Sequence, residues 1–528
     1  MSERGPRRFT HGRHAGVIAP LFAIPSGSSW GIGEIADLPR LAAWMASAGL
    51  DFVQLLPINE MEGGQSSPYS ALSAMAVDPI FIAVEAMSDF GEAGGAAALP
   101  AEARDALDEA RRAPDVRYAS VRAAKAAALR LAFDRFATRD LQTGSARAAG
   151  FEAYVHRESW WLEDYALFRA LHDAHHGRYW RDWSVPLRER HPAALETARQ
   201  QLASDVRYYQ YLQWIADGQW QHAREVCGGV GVFGDFPFMV KGHSADVWAR
   251  QREFHLDASV GVPPAPGAPE GQDWGLPAYR WEVIAPQGYE WLAERTRRSA
   301  ALFDAFRVDH LVGFYRTFIR ERSGRSFVSP PDEPSQAAQG ETLMSLFRAH
   351  GSCIIAEDLG VVPDFVRESQ ARIAVPGLKV LRWEREWHTD GQPFRDPRAY
   401  PSCSVAISGT HDTESMAEWW DAADPAERRA VTALPVVRDE GLRGDEPFSG
   451  RVRDALVSAL FRARSDFVLV MLPDVFGWRD RINTPSLVSD ANWTWRLPWP
   501  VEQMLSDAGP IERASFLRGL AAGTGRGR

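Results

Sequence analysis

Three acidic residues each follow a short apolar run, two of them beside basic residues. They are Asp309 in "FRVDH" (306–310), Glu357 in "IIAEDLG" (354–360) and Asp412 in "SGTHDTES" (408–415). In an extended strand, side chains alternate faces, so Arg307 and Asp309 point the same way. A guanidinium beside a carboxylate favours its ionised form, which is the form a carboxylate nucleophile needs; His310 is expected to help keep Asp309 anionic. Glu357 follows an apolar run, where loss of hydration favours the protonated acid. One charged and one protonated carboxyl, about 5–5.5 Å apart, can cleave a glycosidic bond with retention. His411 and Asp412 form a pair suited to gripping hydroxyls and a cationic transition state. Each motif also has an ordinary explanation: an ion pair at a strand end, an acidic pair (Glu357-Asp358) opening a helix, and an exposed turn.

The runs that carry these acids belong to a longer series. Apolar stretches at 16–24, 51–58, 230–240, 302–310, 352–360, 378–383, 404–412 and 466–474 each end in a polar, Gly or Pro signal and lead into helical sequence. Continuous apolar strands alternating with helices imply a parallel sheet covered on both faces. Eight of them imply an α/β protein of the (β/α)8, or TIM, barrel type, whose active-site face is the C-terminal one. All three acids would stand on that face. The first connecting helix is readable in "ADLPRLAAWMASAGL". It puts Leu38, Leu41, Met45 and Ala48 on one face, with Asp37 as N-cap, Pro39 in the first turn and Gly49 closing it. Between the second and third runs the spacing is far too long for one crossover. Helical patterns there predict an insertion over approximately 85–225, carried on a single catalytic barrel spanning 1–528. The Pro- and Gly-rich stretch 261–275 reads as a long loop leaving the third strand. Residues 1–14 and 520–528 read as flexible, solvated tails.

Composition narrows the function classes. A net charge of −10 gives no electrostatic case for nucleic acid. No apolar run is long enough to span a bilayer, and no leader-type apolar region follows the basic start, so no membrane association is expected. The three cysteines, Cys227, Cys353 and Cys403, are scattered without C-x-x-C spacing. This fits a reducing, cytoplasmic setting rather than a disulfide framework or zinc site. No H-x-H or H-E-x-x-H spacing supports metal ligation by His310, His411 and the acids, and no cofactor fingerprint is present: "WGIGE" (30–34) lacks the third glycine of a dinucleotide loop. Neither metal nor cofactor is therefore expected. No G-x-S-x-G elbow offers a serine. Twenty tryptophans are many for 528 residues. They serve either as core or as flat platforms for sugar rings.

Taken in order, "FRVDH…AEDLG…GTHD" resembles the three catalytic motifs of the amylomaltases, the 4-α-glucanotransferases of glycoside hydrolase family 77. "SSWGIGEIADL" (28–38), "SSPYSALSAMAVDP" (66–79), "GDFPFMVKGHSADVWA" (234–249), "GVPP…GQDWGLPAYRW" (261–281) and "RINTPSLVSDANWTWRL" (481–497) extend the resemblance over about residues 15–500. It implies Asp309 as nucleophile, Glu357 as general acid/base and Asp412 as transition-state stabiliser. It implies that Tyr69 stacks under a bound glucose, and that Arg307 and His411 contact the nucleophile or the sugar hydroxyls. His310, Asp358, Gln272, Trp274 and Asn483 are further substrate-binding candidates. The implied substrates are maltooligosaccharides or other α-1,4-glucans, and the implied chemistry is retaining transfer. The sequence departs from the family at 265–270, where "APGAPE" replaces the aromatics that flank the acceptor cleft, and at Thr413-Glu414. Two other readings stand beside this one: an α-amylase-type hydrolase and a non-catalytic glucan binder. No calcium site and no C-terminal β-domain support the first, and three intact acids argue against the second. The sequence does not set the oligomeric state.

Overall fold

The computed structural model describes residues 9, 12–264, 270–485, 487 and 489–527. Among them are twelve strands: β1 His14–Ile18, β2 Phe52–Gln54, β3 Gly231–Phe236, β4 Phe254–Val262, β5 Gln272–Tyr279, β6 Ala305–Val308, β7 Thr317–Glu321, β8 Ser326–Ser329, β9 Cys353–Ala356, β10 Gly377–Val380, β11 Ser404–Ile407 and β12 Phe467–Met471. Eight of these close into a barrel in the order β1-β12-β11-β10-β9-β6-β3-β2. The pairings within it are all parallel. Each apolar run named above supplies one barrel strand, as expected of strands covered on both faces. β2, β3, β6, β11 and β12 are buried at every position.

Aromatic rings fill the N-terminal end of the barrel. Phe52 and Phe233 stack with centroids 4.3 Å apart. Phe467 meets Phe52 edge-on at 5.9 Å, and Phe9 meets Phe233 at 4.8 Å. This packing closes the bottom and leaves the opposite, C-terminal mouth as the open end. The first outer helix, Leu38–Ser47, buries Leu38, Leu41 and Met45. Between β2 and β3 the chain runs through helices that include Ala101–Arg112, Tyr118–Phe136, Ala146–Ala174 and Ala203–Val226.

Two expectations need correction. The stretch 261–275 is not simply a loop. β4 and β5 pair antiparallel across it and join β7 and β8 in a four-stranded sheet, in the order β5-β4-β7-β8. Residues 265–269, most of the "APGAPE" stretch, lie outside the described residues. Nor is the C-terminal end a solvated tail. The helix Ala508–Gly523 packs on the barrel, and Arg526 is 2% exposed. Its guanidinium donates to the carbonyls of Phe461 at 2.8 Å and Ser465 at 2.7 Å. At the other terminus His14 is already in β1 and Phe9 is buried, while residues 1–8, 10 and 11 lie outside the described residues.

Candidate active site

β6 and β9 are adjacent and parallel, with Arg307 opposite Ile355 and Val308 opposite Ala356. The next residues are Asp309 and Glu357, so both leave the barrel at the same level of its C-terminal rim. The ladder continues one step further: the Glu357 N–H donates to the Val308 carbonyl at 2.9 Å and the Leu311 N–H to the Glu357 carbonyl at 3.0 Å. His310 turns the chain with a positive φ of 43°. That turn aims its N–H at the Glu357 carboxylate, 2.7 Å away.

Arg307 is the hub. One nitrogen, Nη1, donates to both carboxylate oxygens of Asp235 on β3, at 2.8 and 2.7 Å. The other, Nη2, lies 2.9 Å from Asp309 and 3.6 Å from Glu357. The separation of those two acid oxygens is at most the sum of these lengths. One guanidinium nitrogen thus brings the two carboxyls together, the close pairing that a retaining mechanism uses. Asp235 also accepts the Tyr69 hydroxyl at 2.7 Å. Tyr69 stacks against His411 at 5.3 Å, and Trp493 leans on both rings at 5.8 and 5.5 Å. Asp412 accepts a 2.6 Å hydrogen bond from the Asn483 amide and lies 3.4 Å from His411 Nε2.

These acids are electrostatically distinct. Burial pushes Glu357 up to about 7; Arg307 opposes that rise and Asp309 adds to it. Burial also acts to raise Asp412, but the charge and hydrogen bond of His411 and the bond from Asn483 outweigh it and hold the carboxyl below its ordinary range. Burial would lower His411, yet Asp412 raises it above the usual imidazole value. The side chains of Asp309, Glu357 and Asp412 keep 23, 18 and 46% exposure, whereas Arg307 keeps 5% and Asp235 none. The mouth therefore presents three reachable acids on a buried, charged support.

Other candidates fall in different places. Trp274 packs edge-on against His310 at 4.8 Å and donates to Gln272 Oε1 at 3.0 Å, so the second sheet leans over the mouth through β5. His310 is not a charged partner for Asp309. Its ring packs on Phe238 and Trp274, and burial lowers its pKa, keeping it neutral. Asp358 does not face the mouth. Alternation at the strand end turns it outward, where it is 5% exposed and accepts the Leu378 N–H at 2.8 Å. Asn483 holds Asp412 rather than standing alone. Asp235 and Trp493 were not singled out in the sequence. Both lie inside quoted motifs, and the strand register that sets Asp235 opposite Arg307 was the signal available for the former.

Comparison with known proteins agrees with this geometry. The family model described as 4-alpha-glucanotransferase, glycoside hydrolase family 77, matches residues 19–502. A 4-alpha-glucanotransferase of Thermus thermophilus is 31% identical over 521 residues, covering 94% of this chain and 96% of that protein. One from Chlamydia pneumoniae is 29% identical over 501 residues, covering 93% and 92%. In fold, the chain is similar to an amylomaltase from Streptococcus agalactiae solved with acarbose, with a TM-score of 0.81 at 22% identity over 98% of this chain and 100% of that one. The amylomaltase from Corynebacterium glutamicum gives 0.78 at 22% identity over 96% and 75%. A barrel mouth with three reachable acids and a family match over most of its length lead to one conclusion: this chain belongs to glycoside hydrolase family 77, the 4-alpha-glucanotransferases.

Proposed function

We propose that the chain transfers α-1,4-glucan segments between maltooligosaccharides by double displacement, with Asp309 as nucleophile and Glu357 as general acid/base. The observation that carries these roles is the shared guanidinium of Arg307, which touches one acid closely and the other loosely, while burial keeps Glu357 protonated up to about pH 7. Asp309 attacks the anomeric carbon of the donor. The bond to the leaving glucan breaks, and Glu357 gives that oxygen its proton. The product is a glycosyl ester on Asp309. An acceptor's 4-hydroxyl then yields its proton to Glu357 and attacks the same carbon, releasing Asp309. Asp412, held ionised by His411 and Asn483, faces the positive charge that develops in both transition states. Tyr69 offers a ring for the glucose being transferred. Held in place, the acceptor outcompetes water through orientation. The relatives do not favour the hydrolase reading. The scattered cysteines support a cytoplasmic setting.

The test uses an α-maltotriosyl fluoride donor with Glu357→Gln. Fluoride leaves without an acid, but no base remains to activate the acceptor, so the ester accumulates. Mass spectrometry of digested protein should find one maltotriosyl adduct on the peptide holding Asp309. Asp309→Ala should lose it and, like Glu357→Gln on natural donors, lose roughly 10³-fold or more in kcat. An adduct elsewhere, or a folded Asp309→Ala with near-native turnover, would remove Asp309 from this role.

A further inference from the structure

Three residues from separate segments converge beside the strip of chain that carries Tyr69. Glu62 follows β2, His172 lies in the last turn of the helix Ala146–Ala174, and His243 follows β3. A ligand-type atom from each lies within 4.8 Å of those of the other two. Among the described residues, this is the group of histidine and acid side chains with spacing suited to a metal ion. A second observation is independent of the spacing. His172 and His243 are 8% and 9% exposed, and the Nε2 atom of each is buried with no hydrogen-bond partner. Their rings lie 5.0 Å apart. A buried polar atom without a partner is costly, and His172, whose Nδ1 is taken up by Arg169, has only its Nε2 left to meet an occupant.

The surrounding contacts orient the rings. Glu62 Oε1 is 3.0 Å from His243 Nδ1, a spacing at which both atoms can ligate one ion once the proton between them is released. His172 Nδ1 is 3.0 Å from Arg169, which is itself held by Glu60 at 3.0 Å, and 3.7 Å from Asp173. Lys241 pairs with the other oxygen of Glu62. Its flexible stem lets the ammonium swing away when a cation competes for that carboxylate.

We propose that Glu62, His172 and His243 form a binding site for a divalent cation of the zinc class, separate from the catalytic mouth. Two imidazoles and a carboxylate are the donor set of zinc and its transition-metal neighbours, while the nitrogen donors disfavour calcium and magnesium. The bound ion would tie the inserted helix to two barrel loops. It would also tie it to Tyr69, because the Glu62 N–H donates to the Ser70 carbonyl at 3.1 Å. Its role is therefore a staple that steadies the platform ring, with no part in bond cleavage. Spacing along the chain does not announce this site, since the ligands come from three distant stretches.

Full-length protein freed of metal with a chelator is titrated with zinc sulfate by calorimetry, and its melting temperature is followed. One zinc ion per chain and a rise in melting temperature are expected. His172→Gln and His243→Gln should each weaken zinc affinity at least tenfold, while His388→Gln, at an exposed position, should not. Crystals of the unaltered protein soaked in zinc provide a readout that does not depend on the variants folding: an anomalous peak among the three side chains. Absence of stoichiometric zinc, variants that bind as tightly as the parent, or a peak elsewhere would each overturn the proposal.

Discussion

At the scale of single residues, Glu357 sets the pH range. Its carboxyl must hold a proton to release the donor's leaving group, and burial keeps that proton on up to about pH 7. Raising the pH above that value ionises it, so kcat/KM for a natural donor should fall about tenfold per pH unit on the alkaline side. An activated fluoride donor needs no acid for its first step, and its ester-forming rate should lack this limb. A profile flat to pH 9 on maltotriose would contradict the assignment. Tyr69 separates two roles in the same way. Tyr69→Phe keeps the ring and loses the hydrogen bond to Asp235. It should cost about tenfold or less in kcat/KM, within the net worth of one hydrogen bond. Tyr69→Ala removes the platform and should cost at least tenfold more. The three mouth acids were legible in the sequence because each ends an apolar run. Asp358 was misread because adjacent residues at a strand end look alike in sequence and face opposite ways in space. Trp493 was missed because its placement depends on a positive φ of 67°, which sequence pattern does not reveal.

At the scale of elements, the register of β6, β9 and β10 places the acids. Asp358 pins β10 from behind by accepting the Leu378 N–H, and only a glycine fits at 377. A Cβ there would lie 2.3 Å from the Asp358 carboxylate. Gly377→Ala should destabilise the fold by about 1–3 kcal/mol through overpacking, seen as a lower urea midpoint. An unchanged midpoint would show that Asp358 can give way freely. The eight barrel strands were readable because burial on both faces demands unbroken apolar runs. The second sheet was not, for two physical reasons. β4 and β5 carry Gly261, Gly275 and Pro277, and their pairing shifts register twice, between His255 and Ser259 and again before Gly261. Breaker residues and bulges erase the alternation that marks a strand.

At the scale of the whole molecule, the segment entering β1 meets residues 524–527 under the barrel floor. The Gly527 N–H donates to the Arg13 carbonyl at 3.1 Å, and Arg13 donates to the Thr524 carbonyl at 2.8 Å. Arg526 serves carbonyls of the turn that leads into β12. Arg526→Ala leaves the Phe461 and Ser465 oxygens without this donor, while Arg13 still serves Ala463, and should lower stability by roughly 1–3 kcal/mol. Turnover of the folded protein should not change, because the mouth lies at the opposite end. A variant of parental stability would show the clasp to be ornamental. The terminal "GTGRGR" looks like solvated tail by composition, and nothing in its local pattern reveals acceptors supplied by Phe461, Ala463 and Ser465. The helical character of the segment between β2 and β3 was legible from its periodicity. The position of that segment against the barrel was not, since it rests on contacts between distant stretches.

The central claim is that glucan segments pass from donor to acceptor through the mouth acids. The direct measurement is the product profile of purified protein with maltotriose alone, followed over time, with reducing ends counted. The account predicts glucose together with a ladder of longer maltooligosaccharides, at constant total reducing ends, and no reaction with Glu357→Gln. Rising reducing ends with only glucose and maltose would mean that water takes the intermediate, and would contradict the transfer reading.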